Sequence, residues 1–155
     1  MINKQPVQIW IDADACPVVI KDILFKAADR TQTKTTLVAN HALYLPPSRY
    51  LSFIQVGAGF DVADNEIIKR LNPGDLVITS DISLADEVIT KDGLALSPRG
   101  ELFSASNIKS KLSMRDFMDV IRSSGVQTGG SAPLSQADIQ VFAKHLDRWF
   151  SQNKD

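Results

Sequence analysis

Cysteine occurs once, at Cys16, and histidine twice, at His41 and His145, among 155 residues. A single thiol excludes an internal disulfide and any cysteine-rich zinc site, and only two imidazoles remain as nitrogen ligands. Any metal here must be held mainly by oxygen. Long apolar runs are missing too. Stretches such as Ile9 to Ile11 and Leu76 to Ile78 fall far short of the roughly 20 residues that cross a bilayer, and Met1 to Lys4 holds no apolar signal core. A soluble, cytoplasmic protein with no membrane partner is expected. Charge of either sign is not in excess: 17 basic and 18 acidic residues leave a net charge of −1, with a pI near 6.1. No global field draws such a chain onto nucleic acid. An enzyme acting on nucleic acid stays open, because an acidic metal site offsets a basic rim in the sum and a bound cation reverses the local sign.

What is present is apolar mass, 44% of the chain, enough to fill one sizeable core, so one globular domain over residues 1–155 is expected. Gln8 to Ile11, Thr35 to Ala39, Phe53 to Val56, Asp75 to Ser80 and Leu94 to Ser97 read as short, buried, mostly β-branched strands. Between them, Val18, Ile20, Ile23, Leu24, Ala27 and Ala28 recur at helical spacing, with Pro17 suited to the first helical position after a loop from Ala13 to Cys16. Asp61 to Leu71 reads as an amphipathic helix stopped by Asn72-Pro73-Gly74, and Ile82 to Thr90 as a short helix. Strands alternating with helices predict an α/β fold: a mainly parallel sheet of about five strands with helices on both faces. Residues 107–155 change character and read as a helical C-terminal extension, Asn107 to Ser124 and Ser135 to Phe150, joined by the glycine- and serine-rich stretch Gln127 to Pro133, expected to be a mobile loop.

The acids follow the strands. Asp12 and Asp14 come after the first, Asp61 and Asp64 open the helix after the third, Asp81 closes the fourth, and Asp86 lies on the next helix. In an open parallel sheet the carboxyl ends of the strands share one edge, where ligands bind. Carboxylates crowded there repel and are tolerated when a cation or shared proton compensates them. Asp12, Asp14, Asp61, Asp64, Asp81 and Asp86 are therefore candidate metal ligands, and an all-oxygen set suits Mg²⁺ or Mn²⁺. Such ions activate water for phosphodiester hydrolysis without a protein nucleophile, so Asp12, Asp14, Asp64 and Asp81 are the candidate catalytic groups. The bland alternative is helix capping and first-turn dipole pairing by the same aspartates, each worth about 0.3 to 2 kcal/mol.

The stretches "IDADACPV", "VAN", "VGAGFDVADNEI", "GDLVITSDISLAD", "LSPRGELF" and "GGSAPLSQADIQVF" resemble the YaiI/YqxD family of bacterial proteins over almost the whole chain. That family in turn looks like a relative of the PIN-like nucleases. The resemblance implies a small α/β domain in which Asp12 matches the acid ending the first strand and Asp61 or Asp64 the acid of the middle helix. Asp81 matches the acid after the fourth strand, and Asp86 the fourth member. It implies a Mg²⁺- or Mn²⁺-dependent ribonuclease or other phosphodiesterase. The departure is Asp14: such sites need one acid on the first strand, and this chain has two.

The doublet admits a rival chemistry, since haloacid-dehalogenase-like phosphatases also end a first strand in Asp-x-Asp. There Asp12 would be the nucleophile, Asp14 the general acid, and Asp81 and Asp86 the magnesium ligands, with Lys69 or Lys91 as the required lysine. A third class is a non-catalytic protein binding metal or nucleotide. Cys16 at a helix start is a candidate nucleophile, but neighbouring aspartates disfavour the thiolate and a small buried residue is the better reading. For the substrate, Arg99 after the last strand and Asn40 in the loop after the second are the candidate contacts. Arg49, Lys21, Lys69, Lys109, Lys111 and Arg115 are further basic candidates, the last three better read as a solvated helix face. His41 is a candidate contact in a solvated loop, and His145 reads as structural.

Overall fold

A computed structural model describes residues 6–59, 61–125 and 133–153. The stretch expected to be a mobile loop, Gln127 to Pro133, lies outside the described residues except for Pro133, as does Phe60 of the "VGAGFDVADNEI" stretch. The sheet has six strands: β1 (Ile9–Asp12), β2 (Thr35–Ala39), β3 (Leu51–Gln55), β4 (Leu76–Ile78), β5 (Leu94–Leu96) and β6 (Leu102–Phe103). Their spatial order is β3-β2-β1-β4-β5-β6. The first five run parallel, and β6 pairs antiparallel with β5, Ala95 opposite Phe103 and Leu96 opposite Leu102. The sequence reading of about five strands omits β6, a two-residue strand that returns directly from β5.

Five helices surround the sheet: α1 (Val18–Thr31), α2 (Val62–Arg70), α3 (Ile82–Thr90), α4 (Ile108–Ser123) and α5 (Gln136–Gln152). Side chains alternate along each strand, which sorts the core into two clusters. Ile9, Ile11, Leu37, Ala39, Leu76, Ile78 and Leu96 pack with Ile20 and Leu24 of α1 and with Phe142, Leu146 and Trp149 of α5. On the opposite face, Trp10, Val38, Val77 and Ala95 meet Ile67 of α2, Leu84 and Val88 of α3, and Ile108 of α4. Helices thus cover both faces. Among the described residues, no helix is long and apolar enough to cross a membrane.

Local chemistry corrects the sequence reading in two places. Ala13–Ala15 forms a 3₁₀ turn rather than loop, and Pro17 is the N-cap of α1, not its first helical residue; its carbonyl accepts the amides of Ile20 and Lys21. Helix α4 buries only Ile108 fully and leaves Phe117 and Val120 exposed, so its apolar residues do not all face the core. Helix α5 begins with a capping box between Ser135 and Asp138. The turn between β5 and β6 runs against α5 at Gly100. There φ is +88°, and a Cβ would lie 2.7 Å from Val141 Cγ1 and 2.8 Å from the Phe142 amide nitrogen, so only glycine fits.

Candidate functional site

The strand order reverses between β1 and β4, the place where open α/β sheets bind ligands beyond their carboxyl ends. Asp12 is the last residue of β1, and Thr79 follows β4 directly. The Thr79 hydroxyl donates to Asp12 Oδ2 at 2.9 Å and accepts the Asp81 amide at 2.9 Å. Thr79 is 1% exposed, so this bridge fixes both acids from below. Nothing in the composition singles Thr79 out; the available signal was a hydroxyl two residues before Asp81, the spacing of a side-chain turn.

Asp81 is the N-cap of α3, and its Oδ1 accepts the amides of Ser83 at 2.9 Å and Leu84 at 3.3 Å. A carboxylate has two oxygens, so capping and ligation are compatible here. Asp61 precedes α2 with φ +64°, in the left-handed region, and its side chain makes no capping bond to that helix. Asp64 lies in the first turn of α2. Asp61, Asp64 and Asp81 bring carboxylate oxygens within 4.8 Å of one another.

These three, with Asp12, Asp14, Asn40, Ala63 and the bare backbone of Gly57 and Gly59, line a cavity of about 220 Å³. An adjoining cavity of about 240 Å³ is shared by Asp61 and Asp64 and completed by Asn65, Ser83, Asp86, Glu87 and Leu112. Asp86 therefore belongs to the neighbouring hollow rather than to the converging three. Asp14 is engaged elsewhere: its Oδ2 and Oδ1 accept the Asn40 amide at 3.0 and 3.2 Å, and Oδ1 meets His41 Nδ1 at 2.8 Å.

Burial pushes the Asp12 carboxyl upward; the Thr79 hydrogen bond opposes this, and the charges of Asp81 and Asp14 add to it. Asp64 is pushed up to about 7, by burial first and then by Asp81, Asp12 and Asp61. A folded carboxyl that keeps its proton above the ordinary value makes the folded state bind more protons than the unfolded one, so stability falls as pH rises between those two values. Metal-free protein is therefore expected to lose melting temperature from about the ordinary value of 3.8 up to about 7, and little beyond. Asp64→Asn is expected to flatten that slope, and Mn²⁺ at pH 8 to raise the melting temperature of the wild type much more than that of the variant. Thermal melts in chelator and in Mn²⁺ across the range check this; an unchanged slope in Asp64→Asn would refute it.

The basic candidates lie apart. Among the described residues, no lysine or arginine lines either cavity. Arg99 pairs with Asp138 of α5 at 3.2 Å, which places it on the turn packed against the C-terminal helix. Lys111 pairs with Glu101 at 2.8 Å, and Arg115 reaches Ser83 on the rim of the second hollow. Lys91 donates to the Ile68 carbonyl at 2.6 Å. Lys91 is thus engaged elsewhere, and neither it nor Lys69 lines the cavity beside Asp12, where aspartyl-phosphate chemistry needs a cation. Burial drives the Cys16 thiol up to about 12, with Asp12 adding and Lys21 opposing, so the thiol stays protonated at neutral pH.

The family model described as "Uncharacterized BCR, YaiI/YqxD family" matches residues 10–152. The chain is 66% identical over 147 residues to the UPF0178 protein of Colwellia psychrerythraea, covering 95% of this chain and 97% of that one. It is 65% identical over 148 residues to the UPF0178 protein of Pseudoalteromonas translucida, covering 95% and 98%. To that of Shewanella amazonensis it is 62% identical over 145 residues, covering 94% and 97%. No solved structure is a significant match.

Proposed function

This chain belongs to the YaiI/YqxD family, and from that premise we propose that it is a Mg²⁺- or Mn²⁺-dependent phosphodiesterase acting on RNA, related to the PIN-like nucleases. The observation that carries the reading is the approach of Asp61, Asp64 and Asp81 to within 4.8 Å of one another at the β1/β4 switch point. These three are the residues that would hold the cation. Their donors are all carboxylate oxygens, which fits a hard divalent ion and no soft one. When bound, the ion neutralises the phosphate oxygens and makes an attacking water more acidic.

The remaining work falls to the chain. Asp12, half-buried and anchored by Thr79, is a carboxylate of raised basicity facing the cavity, suited to accept the proton of an attacking water. Asp81 is held rigid by the two α3 amides and by its own amide on Thr79. Gly57 and Gly59 leave the cavity wall without side chains, so a phosphate can approach the backbone closely. Acids at the end of β1, in the first turn of α2 and after β4 support the PIN-like reading.

The test is cleavage of single-stranded RNA and DNA by the wild-type protein in Mg²⁺ or Mn²⁺. RNA cleavage that stops on adding chelator and returns with the ion is expected. Cation binding without turnover on any nucleic acid or simple phosphoester would refute the enzyme and leave a metal-binding protein. A stable beryllofluoride adduct at Asp12 would instead mark Asp12 as a nucleophile.

A further inference from the structure

Asp14 lines the cavity, yet its oxygens are committed to residues outside the converging three. Its partner His41 follows Asn40, which lines the same cavity and donates its amide to Asp14. Imidazole Nδ1 lies 2.8 Å from Asp14 Oδ1 and 3.3 Å from Asn40 Oδ1. A carboxylate oxygen at this distance is met by an Nδ1–H donor, which in the neutral ring leaves the lone pair on Nε2. The imidazole is also kept in the open, its side chain 55% exposed against 29% for Asp14. A carboxylate that fixes the tautomer and angle of a solvent-facing imidazole beside a reaction site is the arrangement by which proton-transferring histidines are oriented.

We propose that His41 is a catalytic residue, the proton donor to the leaving oxygen of the phosphodiester, and that Asp14 is its positioning residue. This rests on the phosphodiesterase reading of the neighbouring acids. In the step, the water oxygen forms a bond to phosphorus while the bond from phosphorus to the leaving oxygen breaks. The departing oxygen takes the Nε2 proton of the imidazolium, and the water gives its proton to Asp12; that proton is later lost to solvent, and His41 regains one. The second aspartate of the "IDADACP" stretch thereby acquires a task different from that of the first.

Two measurements on the full chain test this. Nitrogen-15 NMR of the wild-type imidazole is expected to show His41 as the Nδ1–H tautomer when neutral, reverting in Asp14→Ala to the Nε2–H form that free imidazole prefers. In cleavage assays, His41→Gln is expected to lose about a hundredfold on RNA, whose alkoxide leaving group needs a proton. On bis(4-nitrophenyl) phosphate, whose phenolate leaves as the anion, the loss is expected to shrink to about threefold. An Nε2–H tautomer in the wild type, or equal losses on the two esters, overturns the proposal while cation-dependent RNA cleavage by the wild type still stands. Absence of any wild-type cleavage overturns the phosphodiesterase reading and this step together.

Discussion

Asp81→Asn is expected to fold as the wild type does and to lose about a thousandfold in cation-dependent RNA cleavage, in line with removal of a preorganised charged group from a reaction site. The two halves of this expectation have separate physical sources. Asn serves as an N-cap about as well as Asp, so the bonds from the Ser83 and Leu84 amides can be kept. The Asp81 amide also still reaches Thr79, because that bond uses the backbone. What disappears is one of three negative charges whose oxygens lie within 4.8 Å. Hard divalent ions are retained by carboxylate charge more than by neutral amide oxygen, so affinity falls with the charge count. Removing Asp81 also relieves Asp64, which that carboxyl helps to keep protonated. The variant should therefore be less sensitive to pH in its metal-free stability as well as less active. Isothermal titration with Mn²⁺, thermal melts and RNA cleavage, all on one preparation, check the separation. A variant that binds Mn²⁺ as tightly as the wild type would remove Asp81 from the site; one that unfolds would show that its cap is its main contribution.

Much of this site was legible before any coordinates, because the period of the chain is strong. Thr35–Ala39 and Ile82–Thr90 have the bounds their apolar pattern predicts. Acids placed directly after strands must share an edge once those strands run parallel. Capping and ligation read from sequence as alternatives for Asp81, whereas the structure shows its Oδ1 capping α3 and leaves Oδ2 without a capping bond. Long-range pairing was not legible. Arg99 follows β5 as expected, but its guanidinium is drawn to Asp138, and that depends on where α5 docks, which strand periodicity does not specify. β6 is too short for any propensity to mark, and it exists through its pairing with β5. Asp14 and His41 are 27 positions apart, and only the parallel pairing of β1 with β2 brings their two loops to the same place. Thr79 and Asp75, flanking β4 on either side, read from sequence as ordinary strand residues.

Asp75 supplies the second large effect. It lies at the opposite end of β4 from the acids and is 1% exposed. Its Oδ1 accepts the Gln8 amide at 2.9 Å, and its Oδ2 accepts the Trp10 indole N–H at 3.0 Å and the Asn72 amide at 3.0 Å. One carboxylate thus joins the start of β1, the turn after α2 and the ring of Trp10, itself buried in the core with Val77 and Leu84. Asp75→Ala leaves three donors without this acceptor, two of them on backbone that has no rotamer with which to seek another. The cost of stranding such groups and opening the space is about 4 kcal/mol, which for a chain of this length lowers the melting temperature by about 10 °C. Asp75→Asn is expected to lose about half as much: one oxygen still accepts, but the other position becomes an NH₂ facing a donor. Urea denaturation followed by tryptophan fluorescence measures both. Because the lesion is remote from the Asp12 and Asp81 edge, cleavage per folded molecule should match the wild type at temperatures where the variant is folded. A loss below 1 kcal/mol in Asp75→Ala would mean that the three donors find other acceptors and that this carboxylate is not the tie between β1 and β4.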